Sequence, residues 1–208
     1  MPNRSGFSRR QLLSSLSRHD RARDQDKMIY TKTHLAGVRL IDMDPRGDER
    51  GFFSRTMCAE EFAKEGMIDR YPQINTSYSA RRGTLRGLHF QYAPYAEAKL
   101  VKCIHGAIWD VIVDLRGASP TYLQHEGVEL TSENRRQIYV PPGFAHAFLT
   151  LTDDAEVIYP VSTSYTASAE GGLRYDDPLL GIEWPTNVTT VSAKDRSWPL
   201  LDRDMAPF

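Results

Sequence analysis

The chain has 208 residues, a formal net charge of −1 and two cysteines; at that length one hydrophobic core burying roughly 70% of the unfolded chain's surface is expected. The balanced charge argues against nucleic acid and against an anionic membrane surface as principal partners, since both call for a strong basic excess. Cys58 and Cys103 are too few for a disulfide framework and lack zinc-site spacing, so they read as reduced thiols of a cytoplasmic protein.

Residues 1–27 are rich in Arg, Ser and Asp and poor in aliphatics, which predicts a disordered or dispensable arm. Ser8-Arg9-Arg10-Gln11-Leu12-Leu13 has a superficial likeness to a twin-arginine export signal, but no apolar core follows it, which argues against export. No apolar run approaches the roughly 20 residues of a membrane span. Residues 28–208 are expected to form one domain, built from short β-rich runs broken by Gly, Pro and Asp turns. Ala59 to Glu65 is the one helical stretch in the middle of the chain. Strands are predicted at Leu85 to Gln91, Leu100 to Ile104, Ile108 to Leu115, Tyr122 to Leu130, Gln137 to Val140, Ala147 to Leu151 and Glu156 to Ser162. In Ile108 to Leu115, period-two alternation puts Trp109, Val111, Val113 and Leu115 on one face and Asp110 and Asp114 on the other. Regular strand spacing of this kind reads as an all-β antiparallel sandwich or barrel with a few short helices. The turn-rich stretch from Ser162 to Phe208, with Pro178, Pro185, Pro199 and Pro207, is expected to wrap the barrel.

Chemistry concentrates in Thr84-Leu85-Arg86-Gly87-Leu88-His89-Phe90-Gln91, in Lys99, and in Pro141-Pro142-Gly143-Phe144-Ala145-His146. An imidazole titrates near neutrality and can take a proton from carbon, while lysine or arginine holds the negative charge that develops. That combination suits enolisation beside a ketone. Alternation along the first strand puts His89 and Gly87 on one face and Arg86 on the other, so a bulge or a close approach at Gly87 is expected if both His89 and Arg86 serve one site. The Pro-x-Gly-x-x-His pattern ending at His146 is similar to the second metal motif of cupins. The first would need His-x-His with a following Glu, whereas Leu88-His89-Phe90-Gln91 offers one histidine. A catalytic metal wants about three protein ligands. No metal is therefore expected, and His146 is read as a hydrogen-bonding pocket residue.

From about Met28 to Leu201 the chain resembles the dTDP-4-dehydrorhamnose 3,5-epimerase family, jelly-roll, cupin-like enzymes of deoxysugar-nucleotide and surface-polysaccharide biosynthesis. The resemblance rests on Gly47-Asp48-Glu49-Arg50-Gly51-Phe52-Phe53, Leu85 to Gln91, Lys99-Leu100-Val101-Lys102-Cys103, Pro141 to His146, Gly181-Ile182-Glu183-Trp184-Pro185 and Ser192-Ala193-Lys194-Asp195, in the family's order. It implies that His89 is the base that removes a proton alpha to the C4 ketone and that Asp195 orients its ring and stabilises the imidazolium. Lys99 would stabilise the C4 oxyanion, and Tyr159 would return a proton from the opposite face. It also implies that Arg50 and Arg86 meet the diphosphate, with Gln73 and Asn75 as polar contacts and Tyr165 and Glu170 around the sugar pocket. No cofactor, a nucleotide-diphosphate ketosugar as substrate, and a homodimer built through sheet edges follow from the same resemblance. Arg55, Ile74, Ala167 and Tyr175 depart from the family's usual residues at their positions, which leaves the nucleotide and the hexose open, as are C3 against C5 inversion. Two other readings compete: a metal-dependent cupin enzyme, and a non-catalytic jelly-roll that binds sugar nucleotides.

Overall fold

The computed structural model describes residues 27–202 and 207–208; the arm read from composition lies outside them up to residue 26. The chain divides into two compact units, and Met43–Thr56 belongs to the smaller. This segment is a hairpin of β3 (Arg46–Asp48) and β4 (Gly51–Phe53), with Arg46 opposite Phe53. Its turn is closed by the Asp48 carboxylate, which accepts from the Arg50 backbone N–H at 2.9 Å, an arrangement that aspartate favours in turns.

The larger unit spans Tyr30–Asp42 and Met57–Phe208. One sheet contains β1 (Ile29–Lys32), β2 (Arg39–Asp42), β10 (Gln137–Val140), β7 (Lys99–His105), β12 (Ala155–Val161) and β5 (Gln73–Ser79), in that order. The other runs β13 (Glu170–Gly172), β6 (Thr84–Gln91), β11 (Phe144–Thr150), β8 (Ala107–Asp114) and β9 (His125–Thr131), and β14 (Thr190–Val191) pairs with β6. Val101, Cys103, Ile138 and Val157 of the first sheet pack against Ile108, Ile112, Val128 and Phe148 of the second in one buried cluster. Apolar side chains from two inner faces thus make the core, as a sandwich requires. The all-β jelly-roll class expected from sequence is the one found.

A second cluster sits on the other face of the second sheet. There Leu88, Phe90, Val113 and Leu115 are covered by Leu173, Leu180 and Leu201 from the chain's last third. The wrapping expected of residues 162–208 therefore takes place, and it changes how β8 must be read. Alternation marks one apolar face on this strand, yet both faces are buried: Val113 and Leu115 lie under the wrap, while Ile108 and Ile112 face the opposing sheet. With no solvent on either side, alternation marks only which residues travel together. Asp110, wholly buried, travels with the inward pair.

Helix α1 (Ala59–Lys64) agrees with its sequence signal and buries Phe62. A second helix, α2 (Ala193–Ser197), has no expected counterpart. It is five residues long and starts where the Ser192 hydroxyl accepts from the Asp195 N–H at 2.9 Å. Serine followed three residues later by an acid is a helix-start signature.

Gly87 fulfils the bulge expectation. Opposite β11, pairing passes from His146↔His89 to Phe148↔Arg86, so β6 spends one residue more than its partner. Gly87 has φ +117°, and a Cβ there would come within 2.6 Å of the Ala147 Cα and the His146 carbonyl oxygen. Gly87→Ala should cost about 3 kcal/mol, from left-handed strain plus a backbone clash. The expected drop in melting temperature is on the order of 10 °C, read by calorimetry; an unchanged value would mean that the bulge relaxes without strain.

Candidate active site

Strand β6 presents His89 to a cavity of about 430 Å3 whose walls come from both sheets of the larger unit. His89 Nε2 lies 2.7 Å from Asp195 Oδ1, and the aspartate side chain is only 5% exposed. The Gly87 N–H points at the other oxygen, Oδ2, at 3.4 Å. Burial alone would raise the Asp195 pKa, but the His89 hydrogen bond and charge, helped by Gly87 and Ser192, outweigh it and hold the carboxyl below its ordinary value. An ionised Asp195 can only accept. Nε2 therefore carries the proton in the neutral ring, and Nδ1 keeps its lone pair.

Lys99, at the start of β7, lines the same cavity from the opposite sheet. Its Nζ donates to the His89 carbonyl at 3.1 Å and lies 3.3 Å from Glu97 Oε1. Tyr159 reaches in from β12, also on that sheet. Burial raises its pKa above the ordinary phenol value, with the Arg86 charge opposing and Glu97 adding to the rise. At neutral pH the hydroxyl is a proton donor. It makes no hydrogen bond to backbone among the described residues, unlike the tied-down hydroxyl of a packing tyrosine.

Arg86 is brought to the cavity wall by the bulge and is braced by Ser79 Oγ at 3.1 Å and the Tyr78 carbonyl at 2.9 Å. His146 is the cross-strand neighbour of His89 and bonds Asp110 Oδ2 at 2.7 Å, leaving Asp110 Oδ1 buried with no hydrogen-bond partner among the described residues. Thus two histidine–aspartate pairs stand side by side. His146 lines the cavity wall and hydrogen-bonds Asp110, a partner that the sequence does not reveal; the available signal is an acid in the middle of the apolar run of β8.

A second, contiguous cavity of about 190 Å3 shares His89, Lys99 and Tyr159 with the first and adds Gln73, Asn75, Tyr165 and Glu170. Gln73 donates to Asn75 Oδ1 at 2.8 Å and accepts from the Tyr165 N–H at 3.2 Å. The Tyr165 hydroxyl donates to Glu170 Oε2 at 3.0 Å, and Lys194 Nζ reaches Glu170 Oε1 at 2.5 Å. Burial would raise the Glu170 pKa, yet the bonds from Lys194 and Tyr165 keep it below its ordinary value. Lys194 was also missed, although it directly precedes Asp195. Arg50 belongs to the hairpin unit, where its guanidinium grips Asp48 through Nε at 3.0 Å and Nη2 at 2.5 Å. Among the described residues, no three His, Cys, Asp or Glu side chains are grouped to hold a metal ion.

A base fixed by a carboxylate, a lysine, and a protonated tyrosine arriving from the opposing sheet form an arrangement suited to moving protons on carbon. Residues 32–203 match the family model of dTDP-4-dehydrorhamnose 3,5-epimerase. The chain belongs to this family. It is an epimerase, 45% identical over 177 residues to the dTDP-4-dehydrorhamnose 3,5-epimerase of Sinorhizobium fredii, a match covering 85% of this chain and 91% of that one. The Bacillus anthracis dTDP-4-dehydrorhamnose 3,5-epimerase, solved with TDP and PPi bound, superposes with a TM-score of 0.81 at 42% identity, covering 84% of this chain and 100% of that one. The Legionella pneumophila dTDP-6-deoxy-D-glucose-3,5-epimerase, solved with dTDP-4-keto-L-rhamnose, does so with a TM-score of 0.78 at 38% identity, covering 83% and 92%.

Proposed function

We propose that this epimerase inverts C3, C5 or both of a nucleotide-diphosphate 4-keto-6-deoxyhexose, with dTDP-4-keto-6-deoxyglucose as the first substrate to try. His89 Nδ1 takes the proton alpha to the C4 ketone, Asp195 stabilises the imidazolium, and Lys99 holds the enolate oxygen. Tyr159 then protonates the carbon from the other side. The observation that carries this reading is that His89 and Tyr159 line one cavity from opposing sheets, since inversion needs base and acid on opposite faces of the carbon. Arg86 meets the diphosphate, Gln73, Asn75, Tyr165 and Glu170 frame the nucleotide sugar, and His146 hydrogen-bonds it. Incubating the enzyme with dTDP-4-keto-6-deoxyglucose in D2O should wash deuterium into C3, C5 or both, at an equal rate after EDTA treatment. Exchange lost with a bound transition metal would instead support the cupin reading; tight binding without exchange would support the non-catalytic one.

The same reading extends to organisation. The enzyme works as a cytoplasmic homodimer, which would cover the edge strand β5 with its exposed Ile74 and Tyr78 and the hairpin's exposed Phe52 and Phe53. No described helix is long and apolar enough to cross a membrane. Residues 1–27 are dispensable for folding and exchange. A chain beginning at Met28 should keep its melting temperature, its turnover and a dimer mass in analytical ultracentrifugation; a monomeric mass for the full chain would remove the dimer from the proposal.

A further inference from the structure

The lysine at the cavity wall is held by a carboxylate that the mechanism so far leaves unused. Glu97 and Lys99 are both about nine-tenths buried, with side-chain exposures of 8% and 10%. Glu97 Oε1 lies 3.3 Å from Lys99 Nζ, and its other oxygen accepts from Gln91 Nε2 at 2.8 Å. Gln91 is itself fixed: its amide nitrogen also donates to the Tyr95 carbonyl at 3.0 Å and its oxygen accepts from the Thr166 N–H at 2.6 Å. Both carboxylate oxygens are therefore occupied, and neither end of the pair is left to rotate.

A negative charge in this place is unfavourable for the reaction on its face, because it lies beside the position where an enolate oxygen would gather charge. A buried ion pair is also weak evidence of a stability role, given the cost of desolvating both ions. What the pair does supply is geometry. An ammonium carries three donors on a flexible four-carbon stem. One points at the His89 carbonyl and one at Glu97, so the third is directed by exclusion, and Lys99 lines the cavity. Stabilisation of a developing oxyanion depends on donors that are already in place before the charge forms.

We infer that Glu97 is a positioning residue for the reaction, setting the Lys99 ammonium so that its remaining donor meets the substrate's carbonyl oxygen. This rests on the role given to Lys99 above. The carboxylate acts through the lysine, so its removal should lower the rate of carbanion formation and leave ground-state binding nearly alone.

The test is a cycle of Glu97→Ala, Lys99→Met and the double variant, with deuterium exchange into dTDP-4-keto-6-deoxyglucose read by NMR on enzymes shown to be folded. Glu97→Ala should lower kcat for exchange about 10- to 100-fold with KM changed less than about twofold, as for a misplaced catalytic group. Glu97→Gln, which keeps an acceptor for Nζ, should recover most of that loss. In the Lys99→Met background Glu97→Ala should cost nothing further. A Glu97→Ala enzyme with normal exchange beside a crippled Lys99→Met enzyme would overturn the inference and leave the proposed function standing. A full additional loss in the double variant would also overturn it, since Glu97 would then act by another route. Normal exchange in Lys99→Met would remove the lysine's role and this inference with it. Should Glu97→Ala not fold, the same cycle is read on Glu97→Asp, whose shorter arm withdraws the carboxylate from Nζ and keeps the charge.

Discussion

Replacing His89 with asparagine is expected to abolish hydrogen exchange at the ketosugar carbons, a loss of roughly a thousandfold or more. Asparagine retains comparable bulk and can still hydrogen-bond Asp195, so folding should survive, but it has no basic nitrogen. Asp195→Asn gives a related and informative defect. The Gly87 N–H contacts Oδ2 of Asp195, while Oδ1 meets the ring. In the variant the amide oxygen would stay with Gly87 and the NH2 would face Nε2 of His89. Nε2 must then accept, the ring proton moves to Nδ1, and the lone pair needed for catalysis is lost. Exchange should fall roughly 10^2- to 10^4-fold with the melting temperature little changed. Solvent-deuterium incorporation followed by NMR measures both variants, and wild-type exchange in His89→Asn would take His89 out of the mechanism.

Tyr159→Phe should separate exchange from inversion. The phenol is protonated at neutral pH, with burial pushing its pKa further above the ordinary value, and phenylalanine preserves the ring's packing against the core. The carbanion should still form, since His89 and Lys99 are untouched. Reprotonation would then come from the imidazolium that took the proton, on the face it left. Deuterium is therefore expected to enter with retained configuration, while inverted product falls roughly 100-fold or more. Inverted product at the parental rate would show that water or another side chain is the acid, and Tyr159 would be a packing residue.

Much of this molecule is legible in the chain itself. Short β-rich runs separated by Gly, Pro and Asp turns determine an all-β antiparallel sandwich or barrel, because period-two alternation and turn chemistry are local properties. The motifs around His89, Lys99, His146 and Asp195 identify the family, and Gly87 between Arg86 and His89 signals a bulge. Local pattern could not say that both faces of β8 are covered, since that depends on a wrap arriving from residues 162–208. Nor could it join Asp195 to His89 across a separation of 106 residues, or give His146 its buried partner Asp110. Alternation assigns a side chain to one face of its own strand; which residue from another strand stands opposite is set by register and by the packing of two sheets. The Glu97 to Lys99 pair shows the same division. The sequence singles out Lys99 but says nothing of Glu97 two residues before it, and only the closing of the sandwich over them makes them a desolvated pair at the cavity wall. Burial, which no single strand possesses, converts these side chains from solvated charges into fixed ones.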